Sequence, residues 1–496
     1  MSEGVRWNEI RAIHPSNGQL QRWFGWLFAF ATVAYLAVYE MRTSAFESWI
    51  LSTYAKRISY KIEPGPSSSV VFPRSGPFDI RSGYALIPEF VQRLEAEGYK
   101  VADQARFSPD LLRLTRWGII PPFRLPTSTR LAILGVDGHP LFSSPIASYE
   151  YSHFEDLPPL AIKALLLIEN RELEEPADYR SNPVVDWDRL AKAALLYAGR
   201  RVGLPVHVQG GSTLATQMQK YRYSDRGRTD SIFAKLRQMT GASLLVYSQG
   251  PDTRTERRQI ILDYLNTVPL AAAPGYGEVH GLGNGLYAWF GTDPASISRD
   301  LSLPGTAKAK VRALKQVLTL LCAVRAPTYY LLQNRAALAA RVSFYTEMLA
   351  RTQVIDEGLA SRLELTRIKF STHAPPSSLP PYAERKAVDA LRSRVMWMLG
   401  IPGLYELDRL HLDIDSTIDG PLQQQVVNLF ESLRDPAFIN AHGLREKHLL
   451  PSGDPGKVIY GMLLLEKTPL GNLLRVETDT LNSPFDVNDG MKMQLG

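Results

Sequence analysis

The chain has 496 residues, 45% of them hydrophobic, with 56 Lys plus Arg against 50 Asp plus Glu and a net charge of +6. That is ample apolar material to fold, and the length exceeds one ordinary core, so about three domains are expected. The lone cysteine, Cys322, excludes an internal disulfide and reads as a small buried apolar side chain.

Residues 1–22 form a tail. The next 17, WFGWLFAFATVAYLAVY over 23–39, carry no charge, which predicts a transmembrane helix near the lower length limit with Trp23, Trp26, Tyr35 and Tyr39 as interfacial anchors. A cleaved signal peptide is the competing reading, but the run begins late and Tyr39, Glu40 and Met41 make a poor cleavage site. Basic residues flank both ends, so charge does not orient the segment. Residues 40–77 read as a juxtamembrane segment and linker. Within it Phe46, Trp49, Ile50 and Tyr54 fall at helical spacing, suited to a bilayer surface or to packing on the next domain.

Residues 78–151 suggest a small mixed α/β module, with a helical pattern from Ile87 to Glu97 and an extended piece from Arg130 to Val136. From 152 to 370 the pattern is mostly helical. Asp156 is placed to cap a helix whose first turn holds Pro158 and Pro159 and whose buried face is Leu160, Ala164, Leu167 and Ile168. A linker at 371–381 leads to 382–496, with a helix from Tyr382 to Leu399, a strand from Leu410 to Ile418 and short strands beyond Lys457. The fold class expected is mainly α, with a partial α/β segment at the C-terminal end.

The stretch QGGSTLATQMQK, residues 209–220, concentrates chemistry. Gly210 and Gly211 permit a tight turn and close backbone approach; Ser212 and Thr213 supply hydroxyls and an N-cap where a helix starts. Thr213, Gln217 and Lys220 then share one helix face. Glu169 ends the apolar run KALLLIEN. A carboxylate at a helix C-terminus among apolar neighbours suits a general base acting on a hydroxyl. Between Arg189 and Arg258 thirteen Lys plus Arg face four Asp plus Glu, an excess of nine. That points to an anionic ligand. No zinc spacing or aromatic-interleaved basic motif favours nucleic acid, and no P-loop, dinucleotide fingerprint or metal-binding His pair is present.

Five ordered blocks resemble glycosyltransferase family 51, the peptidoglycan glycosyltransferases of class A penicillin-binding proteins. They are AIKALLLIENREL with VVDWDRLAKAA, QGGSTLATQMQK, FAKLRQM, ILDYLNTVPLAAAPGYG with YAWFG, and LTLLCAVRAPTYY. The resemblance implies a lysozyme-like glycosyltransferase domain outside the cytoplasmic membrane of a bacterium, on a single-pass anchor with residues 1–22 inside. It would polymerise lipid-linked disaccharide-pentapeptide (lipid II) into glycan strands, releasing undecaprenyl pyrophosphate, in company with other cell-wall synthesis proteins. Glu169 takes the place of the catalytic base. Gly210, Gly211, Ser212, Thr213, Gln217, Lys220, Lys235 and Asn266 match substrate-binding positions, and a divalent cation, Mg2+, is implied without a dedicated metal site in the chain.

The chain also departs from the pattern. Asn170, Glu172 and Leu173 replace the first motif's Asp, Arg and Phe; Ala215 and Thr216 replace a Thr-Gln pair; Ala234 replaces an arginine. Gln238 stands where the family has its second catalytic glutamate, and an amide cannot carry that charge. An insertion near Tyr276 adds Glu278 and His280, and Glu278 is a candidate substitute. A second reading is therefore a weak or inactive relative that binds precursor or glycan and scaffolds a wall-synthesis complex. LDIDSTIDGPLQQQVV and PFDVNDGMKMQLG resemble the start of a penicillin-binding transpeptidase domain, but no Ser-x-x-Lys occurs, so 382–496 is expected to be a truncated start without acylation chemistry.

Overall fold

The structure, a computed structural model, describes residues 17–144, 149–169, 173–187, 196, 212–374, 379–445, 453–469 and 471–484. It is mainly helical. Helix α1 (Asn17–Thr43) is 27 residues long and turns a corner into α2 (Ala45–Ala55). The corner is built by Glu40, whose carboxylate accepts from the backbone N–H groups of Phe46 (2.9 Å) and Glu47 (2.7 Å), and by Ser44 in the left-handed region. The transmembrane helix expected over 23–39 lies inside α1. However, among the described residues no helix is both long and apolar enough to cross a membrane. The uncharged run itself stops short of the roughly 20 residues a bilayer core needs.

Of the two surroundings open to the juxtamembrane helix, packing on the next domain is the one its buried face makes. Ser48, Ser52 and Ala55 are buried, whereas Phe46 and Trp49 stay exposed. The buried face is tied down by Asn182, whose Nδ2 donates to Glu47 Oε1 (2.6 Å) and to Ser243 Oγ (2.8 Å). Burial raises the Glu47 pKa while the Asn182 amide opposes the rise, so losing this amide leaves a poorly solvated acid. Asn182→Ala is expected to cost about 1–3 kcal/mol in chemical denaturation.

The module ahead of the helical domain is α3 (Pro77–Arg81), α4 (Ile87–Ala96), α5 (Pro109–Arg116) and strands β1 (Tyr60–Pro64), β2 (Asp103–Phe107), β3 (Leu131–Leu134) and β4 (Pro140–Ser143). Strands β1 and β2 pair antiparallel. Strand β3 pairs antiparallel with β4 and parallel with β7 (Leu412–Asp415), Leu131 opposite Leu412. The segments 78–151 and 382–496, separate in sequence, thus share a sheet. They also share a core of Leu131, Ile133 and Phe142 with Val388, Val395 and Leu399.

The main core lies between them in sequence. It collects α6 (Pro159–Glu169), α7 (Leu214–Tyr223), α8 (Ile232–Val246), α9 (Arg254–Thr267), the hairpin β5 (Pro269–Ala273) and β6 (Gly277–His280), α10 (Leu282–Phe290), α11 (Pro294–Leu301), α12 (Lys308–Ala323), α13 (Arg335–Arg351) and α14 (Glu357–Leu365). Cys322 is buried there. Asp156 ends a short 3-10 turn (Phe154–Asp156) rather than capping α6, which begins at Pro159. Gly283 lets the backbone of Tyr149 approach, since a Cβ would sit 1.9 Å from its carbonyl oxygen. Beyond the linker come α15 (Lys386–Leu399), α16 (Leu404–Asp408), α17 (Gly420–Ser432), α18 (Pro436–Ala441) and a long hairpin, β8 (Gly461–Thr468) with β9 (Gly471–Asp479).

Candidate active site

Helix α7 starts where Thr213 closes a reciprocal cap. Thr216 Oγ1 accepts from the Thr213 N–H at 2.8 Å, and the Thr213 hydroxyl accepts from Thr216 N–H while donating to Val184 O (2.9 Å). Thr216, one of the departures from the family pattern, thus fills the N3 place of the cap, a role that a glutamine there also serves. Thr213 is 1% exposed, so its hydroxyl serves the fold. Ser212 is half-buried just ahead of it. Gly210, Gly211, Asn170 and Glu172 lie outside the described residues.

One turn on, Gln217 reaches the end of α6. Its Nε2 donates to Glu169 Oε2 at 2.8 Å, and its Oε1 accepts from the Tyr264 hydroxyl at 3.1 Å. Tyr264 is completely buried on α9. Burial, with the Glu169 charge next to it, pushes its pKa well up, so the phenol remains a donor. The relay Tyr264 to Gln217 to Glu169 fixes which way the amide points and hence which oxygen of the carboxylate it holds. Tyr264 was missed as a functional residue in the sequence; its only signal there is its place in the ILDYLN block. Asn266, two residues on, is used differently: its amide accepts from Tyr151 N–H (3.0 Å) and donates to Tyr151 O (2.8 Å), clamping the chain ahead of α6.

Gln238 is buried on α8, in contact with hydroxyls rather than with Glu169. Its Nε2 donates to Ser224 Oγ (2.6 Å), and its Oε1 accepts from the Thr229 hydroxyl (3.2 Å). It therefore pins the α7–α8 connection onto α8. Part of the local basic excess is also structural. Arg222 donates to Pro126 O and stacks over Phe78 at 4.1 Å. Arg257 donates to Leu173 O (2.9 Å), Ser181 O (2.6 Å) and Thr253 Oγ1 (2.9 Å), and burial draws its pKa down to about 10. Lys220, Arg226, Arg228 and Arg237 stay exposed and Lys235 half-buried, and none has an ion-pair partner among the described residues. Among those residues no group of His, Cys, Asp or Glu is arranged to hold a metal ion.

Glu278 belongs to another arrangement. It sits on β6, 3.1 Å from Arg409 Nη1 and 3.9 Å from Arg81 Nη1, with His280 Nε2 at 3.6 Å. The neighbouring His280 imidazole and the guanidinium charges of Arg409 and Arg81 together lower its pKa to about 2. It clamps the N-terminal module and the C-terminal segment onto the helical domain instead of replacing a second catalytic carboxylate. Because the folded pKa lies below the unfolded one, this clamp stabilises the fold above the ordinary carboxylate range and is lost as pH falls towards 2. Acid unfolding should therefore begin at higher pH in Glu278→Gln than in the parent, read by circular dichroism between about pH 5 and 2.

Residues 142–350 match the Transglycosylase family. Among solved structures, the 2.6 Å crystal structure of penicillin-binding protein 1A from Haemophilus influenzae is similar over 62% of this chain and 29% of that one, at 10% identity and a TM-score of 0.26. That likeness is too slight to bear on the fold, and this chain spans under a third of that protein's length. No curated protein matches. Glu169, Gln217, Tyr264 and the α7–α8 cations all fall within the matched residues, and the chain therefore carries a domain of the Transglycosylase family.

Proposed function

We propose that this domain polymerises lipid-linked disaccharide-pentapeptide into glycan. The observation that carries the reading is the Tyr264–Gln217–Glu169 relay, with Lys220 following Gln217 on the same helix, exposed and without an ion-pair partner among the described residues. Glu169 takes the proton of the acceptor hydroxyl, whose oxygen attacks the donor's anomeric carbon. The bond from that carbon to the pyrophosphate oxygen breaks, and the pyrophosphate leaves with the electron pair, so the configuration inverts. Lys220 and Lys235, with Arg226 and Arg228 nearby in sequence, carry the charge that stabilises the leaving group. No step is assigned to a divalent cation. Exposed Ile232, Phe233 and Leu236 on α8, and the exposed apolar side chains of α1, support an attachment to the outer face of the cytoplasmic membrane.

The second reading, a scaffold that binds precursor without turning it over, is favoured by Gln238, whose amide is committed to Ser224 and Thr229. The two are separated by incubating the detergent-solubilised chain with labelled precursor and resolving polymer on a gel. Polymer supports the transferase. Binding without polymer supports the scaffold.

A further inference from the structure

A cavity of about 990 Å³ opens in the N-terminal module against Tyr223 of α7, and Glu169 is not among its lining residues. Its walls are apolar, formed by Val71, Phe72, Ile87, Phe107, Ile119 and Phe123. Of its lining residues only Tyr223 falls within residues 142–350, so the cavity is a property of the added module. Its size is that of sites for small organic ligands.

Two features say what kind of molecule it takes. Arg74 and Arg116 line the cavity, are exposed, and have no ion-pair partner among the described residues. Cations at a solvent-facing edge with apolar walls behind them match a molecule that is anionic at one end and apolar along the rest. The second feature is Asp79, also in the lining. It is 6% exposed, and among the described residues its carboxyl makes no hydrogen bond or ion pair. Burial among the apolar wall residues favours its neutral form, the Arg222 charge opposing that.

We propose that this cavity binds one anionic amphiphile, its head group on Arg74 and Arg116 and its apolar chain along the walls past Asp79. Burial raises the Asp79 pKa to about 7, so below that pH the carboxyl is neutral and tolerates an apolar neighbour. Above it the carboxylate demands water and the chain is disfavoured. The other charged or titratable groups near Asp79 are Arg81 on its own helix, Arg222 and Tyr223 on α7, and Tyr84 with His411 behind it.

The test is calorimetric titration of the full chain, held in a non-ionic amphipol, with octyl phosphate, inorganic phosphate and octanol. Octyl phosphate should bind once and saturably, at least about tenfold tighter than either control. Ile87→Trp, which fills the cavity, and the pair Arg74→Gln with Arg116→Gln should each weaken it by about tenfold or more at unchanged melting temperature. Asp79→Asn should keep binding and gain affinity relative to the parent as pH rises from about 6 to 8, the second ionisation of the phosphate near pH 6 being common to both. Absence of saturable binding, equal affinity for inorganic phosphate or octanol, or indifference to both cavity variants would overturn the proposal. An affinity ratio between Asp79→Asn and the parent that does not change over that range would overturn the part assigned to Asp79.

Discussion

Glu169→Gln is expected to lower polymer formation from lipid-linked precursor by about 10²–10⁴-fold, the usual contribution of a positioned base. The amide keeps the size of the side chain and can still meet Gln217, so precursor binding should change little. The loss should fall on turnover rather than on the Michaelis constant, because the proton is taken only as the acceptor attacks. Tyr264→Phe makes the complementary case. It removes the hydroxyl that holds Gln217 at 3.1 Å and leaves that amide free to turn its oxygen towards Glu169. Tyr264 is a positioning residue, so its variant should lose about tenfold in turnover and displace the acid limb of the pH profile, a readout that simple destabilisation would not move. Equal turnover by the parent and Glu169→Gln would remove Glu169 from the mechanism.

Arg257→Met is expected to cost about 3 kcal/mol of stability, the scale of leaving buried oxygens without the charged donor they share. Its guanidinium joins α9 to Leu173 and Ser181 on the stretch that follows Glu169, and the truncated side chain would leave those carbonyl oxygens buried without a donor. Arg254→Met, three residues away in an exposed pair with Asp252, is the control and should cost less than about 1 kcal/mol. Thermal unfolding of the two variants beside the parent measures the difference. A loss in Arg257→Met no larger than in Arg254→Met would show that the buried network is not what holds α9 to the chain after α6.

Gln238 explains how a departure from a family pattern can be stable. An amide both donates and accepts, and it satisfies Ser224 and Thr229 together. A glutamate there could only accept when ionised, so both hydroxyls would have to turn towards it. The residue that looked like a lost catalytic acid is thus a fitted part of the α7–α8 connection.

Much of this protein follows from local sequence. The apolar run ending at Glu169, the hydroxyl cap at Thr213, the helices from Ile87 and Lys386 and the hairpin after Lys457 depend on neighbours within a few turns of chain, where periodicity and capping act. The ordered motif blocks likewise mark the domain over 142–350. What those patterns could not contain is partnership across the chain. The pairing of β3 with β7, the use of Asn266 on Tyr151, the burial of Arg222 and Arg257 and the clamp at Glu278 are choices among many possible distant partners. They are decided only when packing brings the groups together and burial makes an unpaired one costly.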